Sequence, residues 1–146
     1  MLYVITGPPA AGKSSWIQAR AQPTDIVIDL DRITLALSGP GAPQWNQDPV
    51  LKRVALRARH GAIEEAVTHR DGRDVYLIHT MPSPKALARY RRLDATVIAV
   101  DPGRDIVMQR IQDMRDPAMT AVATRWYTYA AKHQTQTVTK QASRDW

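Results

Sequence analysis

Residues 7–14 read Gly7-Pro8-Pro9-Ala10-Ala11-Gly12-Lys13-Ser14, a complete G-x-x-x-x-G-K-[ST] pattern. In the chemistry this spacing serves, backbone N–H groups of a glycine-rich turn face the phosphates of a nucleotide, and the glycines let the backbone approach closely. Lys13 is expected to set its ammonium on the β- and γ-phosphates, and the Ser14 hydroxyl to take one position on Mg²⁺. With Ser15 continuing into the following segment, residues 7–15 form the candidate binding site for ATP or another nucleoside triphosphate. The pattern has this meaning only between a strand and a helix. Both are written here: the apolar run Leu2-Tyr3-Val4-Ile5-Thr6 precedes it, and the breaker-free stretch Ser14–Arg20 follows.

Two carboxylates, Asp29 and Asp31, stand one residue apart at the end of a second apolar run, Asp25–Asp29. Beside a triphosphate site, such a pair can divide the work of phosphoryl transfer. One accepts the proton of an attacking hydroxyl, and the other helps to hold the Mg²⁺ hydration shell. Strand alternation would aim both side chains the same way if the extended form persisted through Asp31. An Asp at this place also serves as the N-cap of a following helix. His79, which follows the third apolar run, has either a polar role beside the acceptor or a structural one.

The elements that must position these groups alternate. After the second strand comes a short helical stretch through Leu37, and then the loop Gly39-Pro40-Gly41-Ala42-Pro43. Asp48-Pro49 reads as an N-cap with proline in the first turn, opening a helix to about His69. Leu51, Val54, Ala55, Ala58, Ala62, Ile63 and Ala66 give that helix an apolar face. Val75–Ile78 and Ala95–Val100 read as further strands. Helices are expected from Ser83-Pro84 to Leu93, over Arg104–Met114, and from Ala118 to Lys132, with an interruption at Arg115-Asp116-Pro117. This alternation predicts an α/β fold with a parallel sheet of four to five strands flanked by helices. Its active site is expected at the carboxyl ends of the strands. One domain should span residues 1–133, with a polar tail over 134–146.

Composition narrows the classes further. The chain has 146 residues, a net charge of +6 and no cysteine, which excludes disulfides, zinc-thiolate sites and thiol catalysis. No apolar run approaches the ~20 residues of a membrane span, and Met1 leads straight into the first strand. The expectation is a soluble, cytoplasmic protein with no membrane partner. The positive charge suits a phosphate-rich partner, either the triphosphate alone or DNA or RNA as well. Lys52, Arg53, Arg57, Arg59 and His60 crowd one helix and Lys85, Arg89, Arg91 and Arg92 another, with Trp45 and Tyr90 available to stack on bases. The same residues would equally make an ordinary solvated face.

The order of these features resembles the polynucleotide 5′-hydroxyl kinase group of P-loop kinases. Gly12-Lys13-Ser14-Ser15-Trp16 is similar to that family's phosphate-loop wording, and Ile28–Arg32 stands in the place of its acceptor-side aspartate segment. By this resemblance Asp31 is the general base, and the fold is a P-loop NTPase kinase fold with a small helical lid at about 108–120. The lid arginines, Arg110 and Arg115, would close over the ATP phosphates. His79-Thr80 occupies the place of the family's Asp-Thr pair, so His79, Thr80 and Arg32 become candidate acceptor-binding residues. Two departures stand out: Thr34 where the family commonly has an arginine three residues after the aspartate, and His79 in place of an aspartate.

The expected function is therefore an ATP- and Mg²⁺-dependent kinase acting on a hydroxyl acceptor. The acceptor is a polynucleotide 5′-OH or a hydroxylated base in DNA, with a small molecule, nucleoside or nucleotide as the alternative. A nucleotide-driven switch or motor ATPase is the rival of a different class. Acceptor identity and oligomeric state are not written in the sequence.

Overall fold

A computed structural model of the chain describes residues 1–44, 46–114 and 117–133. Among the described residues, four strands, β1 (Leu2–Thr6), β2 (Ile26–Ile28), β3 (Val75–Ile78) and β4 (Thr96–Ala99), form one all-parallel sheet in the order β2-β3-β1-β4. Within the same residues, six helices connect and cover them: α1 (Lys13–Gln18), α2 (Leu30–Ala36), α3 (Pro49–Thr68), α4 (Pro84–Arg92), α5 (Arg104–Asp113) and α6 (Pro117–Lys132). The connection that leaves β1 leads to β2, beyond β3. The one that leaves β3 leads to β4, beyond β1. These two adjacent strands thus send their chains to opposite edges, which opens a crevice at their carboxyl ends.

Parallel strands are buried on both faces, and these read accordingly as continuous apolar runs. Alternate residues divide between two clusters. Leu2, Val4, Ile28, Val75 and Leu77 pack with Ile63 and Ala66 of α3 and Tyr90 of α4. Ile5, Tyr76, Ile98 and Val100 pack with Ala11, Trp16 and Ile17 of the first loop and α1. Leu77 is fully buried, so Leu77→Ala should cost about 2–5 kcal/mol. A third cluster joins Val107 and Ile111 of α5 to Ala123 of α6 and touches Ala10 of the first loop.

Local signals set the helix starts. The Asp48 carboxylate caps α3 by accepting from the Val50 and Leu51 N–H groups, with Pro49 in the first turn. Ser83 caps α4 through the Ala86 N–H. The expected apolar face of α3 is only partly the buried one. Ala55, Ile63 and Ala66 are buried, whereas Val54 and Ala58 face outward. Helical spacing marks a stripe; which turns of the stripe meet the sheet depends on how the 20-residue helix also packs on α2. The polar tail, 134–146, lies outside the described residues. Among the described residues, no helix is long and apolar enough to cross a membrane.

Candidate functional site

The loop between β1 and α1 is held from three sides. Gly7 has a φ of +146°, and a Cβ there would lie 2.3 Å from the Val100 carbonyl oxygen, so only glycine lets the end of β1 run against the end of β4. Ala10 and Gly12 both adopt positive φ, 58° and 89°, and Gly12 is the N-cap of α1. Lys13 turns back over the loop: its Nζ donates to the carbonyl oxygens of Gly7 at 3.0 Å and Pro8 at 2.7 Å. Burial lowers its pKa to about 8, with Asp29 and Asp31 opposing the shift. From the opposite side, Arg110 of α5 donates from Nη1 to the Ala10 carbonyl at 3.0 Å.

Asp29 and Asp31 do not share an extended segment. Asp29 keeps β geometry, but α2 begins at Leu30, and Asp31 lies in its first turn. The helix supersedes the expected strand alternation because Asp29 itself supplies the cap: its Oδ1 accepts from the Asp31 N–H at 3.0 Å. Its other oxygen accepts from Ser14 Oγ at 3.1 Å. Asp29 is buried, and both of its carboxylate oxygens are engaged. Asp31 is the more exposed of the two. Partial burial and the neighbouring Asp29 carboxylate raise its pKa, while Lys52 and Lys13 pull it down. The pair is therefore asymmetric. One carboxylate is fixed to Ser14, and the other carries an elevated proton affinity within the field of two lysines.

A cavity of about 200 Å³ opens beside Asp29; Asp31 does not line it. Ile17, Ala21, Val27 and Ile78 form its apolar walls, and Ser14, Gln18, Asp29 and Arg32 its polar lining. Arg32 thus joins the site from the first turn of α2. Thr34, where the resemblance drawn from the sequence leads one to expect an arginine, is buried and donates to the Leu30 carbonyl at 2.7 Å, a helix-internal bond that keeps it out of the site.

His79 follows β3, with its N–H on the Ile5 carbonyl at 3.0 Å. Its Nδ1 lies 2.7 Å from the Tyr90 hydroxyl. Burial and the nearby Arg59 lower its pKa to about 4, so the ring is neutral at neutral pH. Tyr90 is itself buried, which overturns the expectation that it stacks on bases; its ring belongs to the core. Thr80 accepts from Trp126 Nε1 through its carbonyl at 3.0 Å, and Tyr129 donates to the Pro82 carbonyl at 2.8 Å. These two bonds anchor α6 to the β3–α4 loop. Trp45 and Arg115 lie outside the described residues.

Arg59 and Gln47 are two site neighbours that the sequence does not single out. Arg59 reaches from α3 to donate to the Ile78 carbonyl at 3.0 Å. Gln47, buried, bridges the Asp31 and Gln44 carbonyls. Neither carries a motif, and both contacts cross between elements. Arg53, Arg57 and His60 do share an outer face of α3, but they border a shallow depression with the apolar Val50, Val54 and Leu56.

No protein-family model matches this chain, and no curated protein matches its sequence. Among the described residues, no group of three or more histidines or carboxylates could hold a metal ion by itself. A Ser hydroxyl beside one or two carboxylates is the donor set of a Mg²⁺ that keeps most of its waters and arrives on a phosphate. Ser14 and Asp29, bonded to each other, fit that description.

Proposed function

We propose that the chain is an ATP-dependent phosphotransferase that moves the γ-phosphate to a hydroxyl acceptor. The favoured acceptor is a polynucleotide 5′-OH or a hydroxylated base in DNA. The observation that carries this reading is the Ser14–Asp29 bond, which joins the end of the G-x-x-x-x-G-K-S loop to a carboxylate at the end of β2. In this account Lys13 and the loop receive the triphosphate, and Arg110, already on the loop backbone, faces the same phosphates. Ser14 and Asp29 would hold Mg²⁺, which when bound neutralises charge on the phosphate oxygens. Asp31 takes the proton of the attacking hydroxyl, and its raised pKa favours that role. Residues 108–120 would form the lid, with Arg115 as its second arginine.

The cavity favours a second reading of the acceptor. At about 200 Å³ with apolar walls, it suits a compact group, which is also what a nucleoside or small-molecule kinase requires. A direct test offers labelled ATP with 5′-OH DNA, 5′-OH RNA, hydroxymethylated DNA and free nucleosides. Label on a polynucleotide supports the first reading, and label on nucleosides alone supports the second. Label on none of them, with phosphate released only when a macromolecular partner is added, favours a switch or motor ATPase.

A further inference from the structure

The end of β3 gathers three polar side chains from three elements: His79 after the strand, Arg59 from α3 and Tyr90 from α4. The Tyr90 hydroxyl and His79 Nδ1 are 2.7 Å apart, and the two rings meet edge to face with centroids 5.9 Å apart. Arg59 is pinned to the same strand end through the Ile78 carbonyl, and its Nε is buried with no partner among the described residues.

These contacts decide which imidazole nitrogen carries the proton. Burial raises the Tyr90 pKa, so the phenol keeps its hydrogen. A guanidinium offers donors only. With Arg59 beside the phenol, the hydroxyl hydrogen must turn to an acceptor, and His79 Nδ1 is the one within reach. The opposite tautomer would put an N–H against the phenol oxygen and leave the hydroxyl hydrogen facing a cation. Nδ1 therefore accepts. Because burial and Arg59 keep the ring neutral, its single hydrogen sits on Nε2, which has no protein partner among the described residues. The side chain is only partly buried, so this donor is open to a ligand. Arg59 in turn lies in the field of the Asp29 carboxylate, which opposes the effect of burial on its pKa, so this trio lies near the carboxylate end of the site. Ile78, and not His79, lines the apolar cavity.

We propose that His79 is a fixed hydrogen-bond donor of the acceptor site, its Nε2–H set by Tyr90 and Arg59 to receive an oxygen atom of a phosphate or carbonyl group on the acceptor. The acceptor half of this inference rests on the phosphotransferase reading above; the tautomer does not. A carboxylate at this position would select a donor group on the acceptor, whereas His79 selects an oxygen.

Long-range ¹H–¹⁵N correlation spectra of the whole protein test the first half, with His79 assigned by its loss in His79→Gln. The expected signature is an unprotonated Nδ1 and a protonated Nε2, unchanged from pH 5.5 to 8, with Tyr90→Phe shifting the resonances toward a tautomer mixture. An Nδ1–H tautomer or an imidazolium at pH 7 overturns the proposal. Steady-state kinetics test the second half. His79→Gln, which retains an N–H donor, should keep the acceptor KM within a few-fold, and His79→Asp should raise it about ten-fold or more with the ATP KM unchanged. An effect confined to phosphate-bearing acceptors identifies a phosphate oxygen. An equal effect on uridine and thymidine that is absent with adenosine, which has no carbonyl, identifies a carbonyl; an equal effect on adenosine overturns both assignments. An unchanged acceptor KM in His79→Asp overturns the proposal. If no acceptor is phosphorylated at all, the phosphotransferase reading and the acceptor half fail together, and the nitrogen shifts alone decide whether His79 is the fixed donor.

Discussion

Ser14 and Asp29 stand 15 positions apart in the chain, yet the Ser14 hydroxyl donates to Oδ2 of Asp29 at 3.1 Å. Asp29 Oδ1 at the same time caps α2 through the Asp31 N–H. One buried carboxylate therefore sets the distance between the glycine-rich loop and the helix that carries the second carboxylate. Under the proposed function this arrangement would separate two roles that look interchangeable in the sequence.

The two aspartates should respond differently to the same substitution. Asp31→Asn is expected to lower turnover by roughly 10² or more with little change in ATP KM, because in the proposed mechanism the lost carboxylate acts on the proton in transfer. Asp29→Asn is expected to raise the Mg·ATP KM instead. Asp29→Ala should in addition lower stability by about 1 kcal/mol through loss of the helix cap. Steady-state kinetics and thermal unfolding of the variants check this, and an exchange of the two kinetic patterns would reverse the assignment.

Lys13 gives the site a pH dependence. Its pKa in the free protein is about 8, and a bound triphosphate should raise it, so binding takes up a proton above that pH. Nucleotide affinity should be highest below pH 8 and fall between pH 8 and 10, with the decline absent in Lys13→Arg. Titration calorimetry at a series of pH values measures it; a flat wild-type profile across that range counts against the lysine contact.

Gly7 should tolerate no side chain. A Cβ would meet the Val100 carbonyl at 2.3 Å in a backbone conformation that L residues avoid. Gly7→Ala is expected to cost about 1–3 kcal/mol from the clash alone and to lower the melting temperature by several degrees. Gly39→Ala, with nothing within 4 Å, is the matched control and should melt near wild type. Equal melting temperatures would show that the ends of β1 and β4 are not so closely apposed.

His79 should make the fold acid-sensitive in a defined window. Its folded pKa of about 4 lies below the ordinary histidine value of 6.5, so the unfolded chain binds more protons between those values. The stability it contributes is complete above pH 6.5 and is lost as pH falls toward 4. Denaturant unfolding of wild type and His79→Gln across this range should show a shallower pH slope in the variant; identical slopes would contradict the burial of a neutral ring.

Much of this was legible in the residues. Short apolar runs bounded by turn residues gave the four strands, and Asp48-Pro49 and Ser83-Pro84 marked two helix starts because capping is a local, near-neighbour interaction. The G-x-x-x-x-G-K-S spacing located the loop, and strand-end reasoning located Asp29, Asp31 and His79. What the sequence does not show is how side chains meet across elements. Arg59 looked like one more cation on a basic helix, and Tyr90 like an available stacking ring, until the packing of α3 and α4 brought both to His79. Whether Asp31 continues a strand or starts a helix turned on one hydrogen bond from its own N–H, which strand alternation does not encode.

Under the proposed function the loop and the two carboxylates transfer phosphate to a hydroxyl and do not simply hydrolyse a nucleotide. The most direct measurement follows the γ-label of ATP in the presence of increasing hydroxyl acceptor, in wild type and in folded Lys13→Ala. The account predicts that label moves into the acceptor as phosphate release falls, and that both vanish in Lys13→Ala by several orders of magnitude. Label that appears only as free phosphate at every acceptor concentration, or near-normal turnover in Lys13→Ala, would contradict it.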